Sequence, residues 1–173
     1  DALGHGAQPV GLSINGLSGV VAGHRSREST MREMEGYRFI HARDVEFRDV
    51  DAADHVNNAV YLTYLETARI AYLIDVLGPQ FAYQLSLILA HIAVDFRSAA
   101  RFPERLEIGA RVTRIGTKSF QMEHEIRGGD GRLVLEATSA LVAYDYEADA
   151  AMAVPEDWRT RLDAYEERSS VAT

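Results

Sequence analysis

One long amphipathic helix, followed by strands joined through short turns, is the feature that most restricts what this sequence can fold into. Between Asn58 and Leu77, apolar residues recur at the spacing that places them on one side of a helix, and Gly78-Pro79 ends the pattern. The main stripe consists of Tyr61, Leu65, Ala68 and Tyr72. A single long helix of this kind needs one face of a sheet on which to bury its stripe.

Most of the remaining chain has the patterns of strands. They predict strands at 37–48, 86–96, 105–115, 119–127 and 132–146. In the first of these, Phe39, Val45 and Phe47 are expected on the same side. The second is a nearly continuous apolar run, which is typical of a strand buried on both faces.

Two further signals fix the connections. The GGDG sequence at 128–131 predicts a hairpin. A closing helix is expected from Pro155, with Trp158, Leu162 and Tyr165 on one face. The predicted fold class is therefore α+β, with an antiparallel five-stranded sheet wrapped around one central helix. The open edges of such a small sheet favour pairing with a second copy, so a homodimer or homotetramer is expected.

Composition narrows the possible functions. The 173 residues suit one domain, and 26 acidic against 18 basic side chains give a net charge of −8, which disfavours nucleic acid and anionic membranes as partners. The absence of cysteine excludes disulfides, thiolate metal sites and a cysteine nucleophile, and it fits a cytoplasmic location. No apolar run is long enough to span a bilayer. Residues 1–30 are interpreted as a leader or flexible N-terminal extension, and 31–173 as a single domain.

Polar residues crowd the loop before the long helix, in the sequence DVDAADHVNN at 49–58. A helix start offers unpaired N–H groups and a partial positive charge, which can hold a developing oxyanion. A carboxylate beside that point can attack a polarised carbonyl or activate water. Asp and Asn before a helix are also common capping residues, so helix patterns alone favour a structural role for them.

The whole string resembles the signature of hotdog-fold acyl-CoA thioesterases of the 4-hydroxybenzoyl-CoA thioesterase type. It consists of Asp49 and Asp51, then His55-Val56-Asn57-Asn58, Tyr61-Leu62, Glu66 and Arg69, and the resemblance covers roughly 37–146. It implies a hotdog fold and hydrolysis of an acyl-CoA thioester to a free acid and coenzyme A. Coenzyme A would enter as part of the substrate, with no other cofactor.

The resemblance also implies roles for the loop residues. Asp51 matches the catalytic carboxylate, as nucleophile or as general base, and the backbone N–H of Asn58 lies where the family polarises the thioester carbonyl. His55 matches a site residue in some relatives, with a structural hydrogen-bonding role as the alternative. Many relatives have Gly where this chain has Asp54, and Asp tolerates a positive φ better than most residues.

Other candidates for substrate binding follow the same resemblance. Asn57 and Asn58 contact the substrate or cap the helix, Tyr61 lies within the motif, and Glu66 is expected to make a salt bridge or hydrogen bond near the site. Arg97 and Lys118 are candidates for the coenzyme phosphates, with solvated surface charges as the alternative. Ser119 aligns with a residue that can face the active site of a dimer partner, or it is a hydroxyl at a strand start.

No metal site is expected, because the histidines lack ligand spacing such as HExxH. His91 and His124 are interpreted as core or interface residues of strands. Two other functions are alternatives: a non-catalytic acyl-CoA-binding module, and a hotdog dehydratase or hydratase. The second needs a His-containing motif that the segment HVNNAVYLT does not match. The acyl group, the choice of coenzyme A or acyl carrier protein, and dimer or tetramer are not fixed by the sequence.

Overall fold

The structure is a computed structural model that describes residues 34–83 and 86–170. The interpreted leader at 1–30 lies outside the described residues, so the division of the chain at residue 31 stays a prediction.

The described chain forms a curled antiparallel sheet with one long helix on its inner face. The strands run in the spatial order β1-β3-β4-β5-β2, and the short β6 pairs with the end of β5. The elements are β1 (Phe39–Asp44), α1 (Asn58–Leu77), β2 (Leu87–Phe96), β3 (Arg105–Ile115), β4 (Ser119–Gly128), β5 (Leu133–Asp145), β6 (Ala150–Ala151) and α2 (Glu156–Ser170), with short 3-10 turns at Phe47–Asp49 and Pro79–Tyr83. The predicted α+β architecture around a central helix is confirmed.

Helix α1 has the bounds that the sequence predicts. Asn57 caps its start, with the side-chain oxygen accepting a hydrogen bond from the N–H of Ala59 at 2.9 Å. Gly78 ends it at φ 97°, and its N–H donates to the carbonyl of Ile74. The predicted stripe of Tyr61, Leu65, Ala68 and Tyr72 is fully buried. Burial of one such leucine contributes about 1.5 to 3 kcal/mol.

The inner face of the sheet supplies the rest of the core. Alternate residues of β3 and β4 are buried beneath α1, as the two-residue period of a strand requires. They include Leu106, Ile108, Phe120, Met122 and Ile126. The turn at 128–131 is a hairpin connection, closed by the hydrogen bond from the N–H of Gly131 to the carbonyl of Gly128. Glycine suits this turn because the φ of Gly131 is 88°.

The prediction that the strand at 86–96 is buried on both faces is wrong for the single chain. β2 lies at the edge of the sheet and pairs only with β5. Leu89 and Phe96 are 41% and 47% exposed, and His91 is exposed as well. An apolar run shows that a strand is hydrophobic but not whether both of its faces are covered. Here Leu87, Ile92 and Val94 pack on the core, and the other face is exposed within the described part of one chain.

The first strand is shorter than predicted, and Phe47 does not face the core. β1 ends at Asp44, and a 3-10 turn begins at Phe47, where the N–H of Glu46 and the side chain of Asp49 form a cap. This turn breaks the alternation of the strand. Val45 stays buried, whereas Phe47 is 76% exposed and its ring contacts that of Phe102 at 5.9 Å.

Helix α2 packs on the far end of α1 and on β3. Leu162 is fully buried, and Trp158 and Tyr165 pack against the same part of the core, as expected. Phe81 contacts the ring of Trp158 at 5.5 Å. Among residues 34–83 and 86–170, no helix has the length and apolar character needed to cross a membrane.

Candidate active site

The polar loop before α1 is a small closed structure. The N–H of Asn57 donates to the carbonyl of Asp49 at 2.9 Å, and Val50 and Val56 form an isolated antiparallel bridge. Further out, the N–H of Asp51 donates to the carbonyl of His55 at 2.8 Å. The two sides of the loop are therefore paired, and residues 51–55 form its tip.

Asp51 lies at this tip and is exposed. Its Oδ1 accepts hydrogen bonds from the N–H groups of Ala53 at 2.8 Å and His55 at 3.4 Å. Its second oxygen has no hydrogen-bond partner in the part of the chain that the structure describes. One oxygen thus holds the carboxylate in place, and the other is open to an incoming group.

The first turn of α1 provides the other half of the arrangement. The side-chain oxygen of Asn57 accepts a hydrogen bond from the N–H of Ala59, and its backbone carbonyl accepts one from the N–H of Val60. The N–H of Asn58 has no acceptor within residues 34–83 and 86–170. Asn58 is exposed, and no acidic residue stands in the first turn to neutralise the positive end of the helix dipole. Asn57 therefore acts as a cap, while the Asn58 N–H points to no described protein group.

Asp54 explains how the loop turns back towards the helix. Its φ is 59°, so the position needs the left-handed conformation, which Asp tolerates better than most residues. The guanidinium of Arg101 lies 3.3 Å from both its carboxylate and its carbonyl oxygen. The next residue, His55, is half-buried, and its ring makes no hydrogen bond among the described residues.

A buried contact that sequence reasoning missed joins this loop to α1. Tyr64 donates from its hydroxyl to Oδ2 of Asp49 at 2.5 Å, and the N–H of Glu46 donates to the same oxygen at 2.8 Å. Both Tyr64 and Asp49 are buried. The signal available in the sequence is a tyrosine within the apolar stripe, because a buried tyrosine hydroxyl needs a hydrogen-bond partner.

The structure does not give Tyr61 and Glu66 the positions that the motif predicts for them near the site. Tyr61 is 2% exposed, and its hydroxyl accepts a hydrogen bond from the N–H of Ala100 at 3.1 Å. Burial raises the pKa of this hydroxyl. Glu66 lies on the exposed side of α1 and makes no ion pair with any described residue. Arg69, one turn further on, is buried.

The remaining predicted residues are not brought to this loop within one chain. Arg97 forms an ion pair with Glu136 at 2.9 Å. It also lines a pocket of about 330 Å³, together with residues that include the paired Glu123 and Thr138 of β4 and β5. Lys118 donates to the carbonyl of Ala151 at 3.0 Å, and Ser119 begins β4. These two lie at the opposite end of β3 from the loop, about 30 Å away at ~3.3 Å per strand residue.

The loop tip and the first turn of α1 therefore offer a carboxylate oxygen and an N–H that have no partner among the described residues. A carboxylate next to a helix N-terminus suits attack on, or water activation towards, a polarised carbonyl. No three His, Asp or Glu side chains converge as a metal site in the described chain.

Three comparisons relate the chain to known proteins. The family model described as the thioesterase-like superfamily matches residues 45–162. The long-chain acyl-CoA thioesterase FadM of Escherichia coli (strain K12) is 27% identical over 117 residues, which are 66% of this chain and 89% of FadM.

Two solved structures are also similar. A thioesterase from Thermus thermophilus, complexed with coenzyme A and Zn, has 32% identity and a TM-score of 0.71 over 78% of this chain and 98% of its own. The PA5185 protein from Pseudomonas aeruginosa strain PAO1 has 27% identity and a TM-score of 0.65 over 75% of this chain and 92% of its own.

Proposed function

The chain belongs to the thioesterase-like superfamily and is an acyl-CoA thioesterase, and we propose that its reaction takes place between Asp51 and the first turn of α1. The hotdog fold expected from the sequence is confirmed by the same relationship. The observation that supports the proposal is a pair of groups without a partner among the described residues, one at the loop tip and one at the start of α1: an oxygen of Asp51 and the N–H of Asn58.

In the proposed reaction, the thioester carbonyl oxygen accepts a hydrogen bond from the N–H of Asn58. The positive end of α1 adds to this stabilisation as the oxygen gains charge, an effect worth about 10² to 10³ in rate for one preorganised donor. Asp51 acts on the carbonyl carbon, directly or through water. The C–S bond breaks, coenzyme A leaves as the thiolate and is protonated, and one water is consumed to give the acid.

Asp51 has two possible roles in this scheme. As a nucleophile it forms an acyl–aspartyl anhydride that water then hydrolyses, and as a general base it takes a proton from the attacking water. A single turnover in ¹⁸O-labelled water separates them. Label in the Asp51 carboxylate after the turnover indicates the anhydride, because water attack on the aspartyl carbonyl transfers its oxygen there.

The variant Asp51→Asn tests the assignment. The amide oxygen of Asn can still accept from the N–H groups of Ala53 and His55, so we expect the loop to stay folded. We expect kcat for acyl-CoA hydrolysis to fall by about 10² or more, measured as thiol release. Asp54→Asn is the matched control, since it removes a neighbouring charge and Asn also tolerates a positive φ.

A wild-type rate in purified Asp51→Asn would contradict the role of Asp51. Thiol release from a panel of acyl-CoA and acyl carrier protein substrates would identify the acyl group and the carrier. The same assay separates hydrolysis from simple acyl-CoA binding and from dehydration, because neither of those releases a thiol. The proposed hydrolysis uses no metal or redox cofactor.

The proposed assembly is a homo-oligomer. The free edge of β2, with Leu89 and Phe96 exposed, supports pairing with a second copy. In such an assembly, Lys118 and Ser119 of one subunit would serve the loop of the other, since they lie far from Asp51 of their own chain. Arg97 is proposed as a further contact for the coenzyme phosphates. A cytoplasmic location stays a prediction from the cysteine-free composition.

A further inference from the structure

Asp49 is a buried carboxylate that makes no ion pair with any described residue. It is 7% exposed, and its Oδ2 is held by the hydroxyl of Tyr64 and the N–H of Glu46. A buried carboxylate is costly to desolvate unless hydrogen bonds satisfy its oxygens, and here the Tyr64 hydroxyl and the Glu46 N–H both donate to it. This one side chain therefore caps the 3-10 turn at Phe47–Asp49 and also contacts α1 through Tyr64.

The backbone of Asp49 links this buried contact to the proposed site. The carbonyl of Asp49 accepts the N–H of Asn57, the residue that caps α1, and Asp51 follows two residues after Asp49. Asp49 therefore lies at the base of the loop, between the proposed catalytic carboxylate and the helix start. Movement of Asp49 would shift Asp51 relative to the N–H of Asn58.

Tyr64 fixes this base to the helix itself. It lies in the second turn of α1, is 3% exposed and reaches back to Asp49. Burial, and next the hydrogen bond to Asp49, raise the pKa of Tyr64 well above its usual range, so its hydroxyl remains a donor. The guanidinium of Arg43 lies 5.3 Å from the centre of the Tyr64 ring and bonds to Glu46 at 2.7 Å, which holds the far side of the contact.

We propose that Tyr64 and Asp49 are positioning residues of the thioesterase reaction, which hold Asp51 and the Asn58 N–H at the separation that the transition state requires. Neither touches the substrate, and the inference rests on the proposed function. Backbone hydrogen bonds from Asn57 to Asp49 and from Val56 to Ala100 also hold the loop. The Tyr64–Asp49 bond adds a side-chain link between the base of the loop and the second turn of α1, and small misplacements of catalytic groups are expensive in rate.

The variant Tyr64→Phe removes only the hydroxyl. We expect kcat to fall by about 10- to 100-fold with KM little changed, because binding groups stay in place while the reacting groups lose alignment. Hydrogen exchange of the segment 49–57 should become faster. In Asp49→Asn the amide oxygen can still accept from Tyr64, so this variant should keep more activity than Asp49→Leu. Adding Tyr64→Phe to Asp49→Leu should cause little further loss.

Tyr72→Phe is the matched control. Tyr72 is also a buried tyrosine of α1 whose hydroxyl bonds to a carboxylate, that of Glu166, but it lies at the far end of the helix. We expect it to lower the urea midpoint without a comparable loss of kcat. If Tyr64→Phe lowers stability but keeps kcat, or if both variants lower kcat equally, the positioning role is overturned. Absence of thiol release by the wild-type protein would instead overturn the proposed function.

Discussion

His124 is a polar residue in the centre of the apolar core. It is 1% exposed, its Nε2 lies 3.4 Å from the hydroxyl of Ser139, and its Nδ1 has no partner among the described residues. Burial lowers the pKa of His124 to about 3, and the nearby guanidinium of Arg69 contributes to the lowering. The side chain is therefore neutral in the folded protein. His124 is a core residue of a strand, as predicted, but the expectation that its polar atoms are satisfied is wrong for Nδ1 among the described residues.

This neutral histidine makes stability depend on pH. The unfolded chain binds a proton at His124 with a pKa of about 6.5, whereas the folded chain binds it only near pH 3. The free energy of unfolding is therefore highest above pH 6.5 and decreases as the pH falls below it. Between pH 7 and pH 5 the loss amounts to about 2 kcal/mol for this one group. Urea unfolding at the two pH values measures it.

The variant His124→Gln should lose this part of the pH dependence, although it lowers stability at pH 7. His91→Gln is the control, because His91 is exposed on β2 in the single chain. Equal pH dependence of unfolding in the wild type and in His124→Gln would show that the buried ring does not exclude the proton.

At the scale of elements, α2 is attached to the fold by a carboxylate that two other elements share. Glu166 accepts hydrogen bonds from the hydroxyl of Tyr72 on α1 and from the N–H of Val112 on β3 at 3.0 Å. The pairing of β1 with β3 reaches only Ala110, so β1 supplies no partner at Val112. At the other end of α2, Arg159 and Arg161 donate to the carbonyls of Gly116 and Leu77. Three elements thus meet at one side chain.

The variant Glu166→Ala should destabilise the protein by about 2 to 4 kcal/mol, because it leaves a buried hydroxyl and a buried N–H without an acceptor. Asp163→Ala, an exposed carboxylate on the same helix, should change the unfolding free energy by less than about 0.5 kcal/mol. Chemical denaturation of both variants provides the comparison. Similar small losses would mean that solvent reaches the Tyr72 hydroxyl once Glu166 is removed.

At the scale of the whole molecule, the candidate site residues divide between two ends of the sheet. Asp51 and Asn58 lie near the start of β3, and Lys118 and Ser119 lie beyond its end. The proposed homo-oligomer would unite them across subunits.

A subunit-mixing experiment tests this shared site. Asp51→Asn and Lys118→Ala should each have low kcat/KM alone. If the two residues act across a dimer, refolding equal amounts together should restore about a quarter of the wild-type activity, since half of the dimers then contain one intact site of two. The mass in solution should be twice the 19.2 kDa of one chain, or four times in a tetramer.

The reverse mixture is its control. Wild type refolded with an equal amount of the double variant Asp51→Asn/Lys118→Ala should give about a quarter of the wild-type activity for a shared site and about half for a site within one chain. A value near one half, with no restoration in the first mixture, would refute the shared site.

The sequence by itself determined the features that depend on local spacing. The bounds of α1, its buried stripe, the Asn57 cap, the Gly78 stop and the hairpin at 128–131 follow from periodicity and from backbone preferences of single residues. The closed polar loop could be predicted in outline, because its motif is contiguous. A positive φ at Asp54 was suggested only by the family resemblance, and the structure shows it.

Only the tertiary structure decided which residues meet across the chain. In the structure, β2 lies at an edge of the sheet and Phe47 is exposed. Lys118 lies at the far end of the sheet from the loop, and Tyr64 donates a hydrogen bond to Asp49. Period and composition specify which face of an element is apolar, but not which neighbour covers it. Hydrogen bonds between buried groups depend on the packing of distant segments, so they appear only once the sheet has curled around its helix.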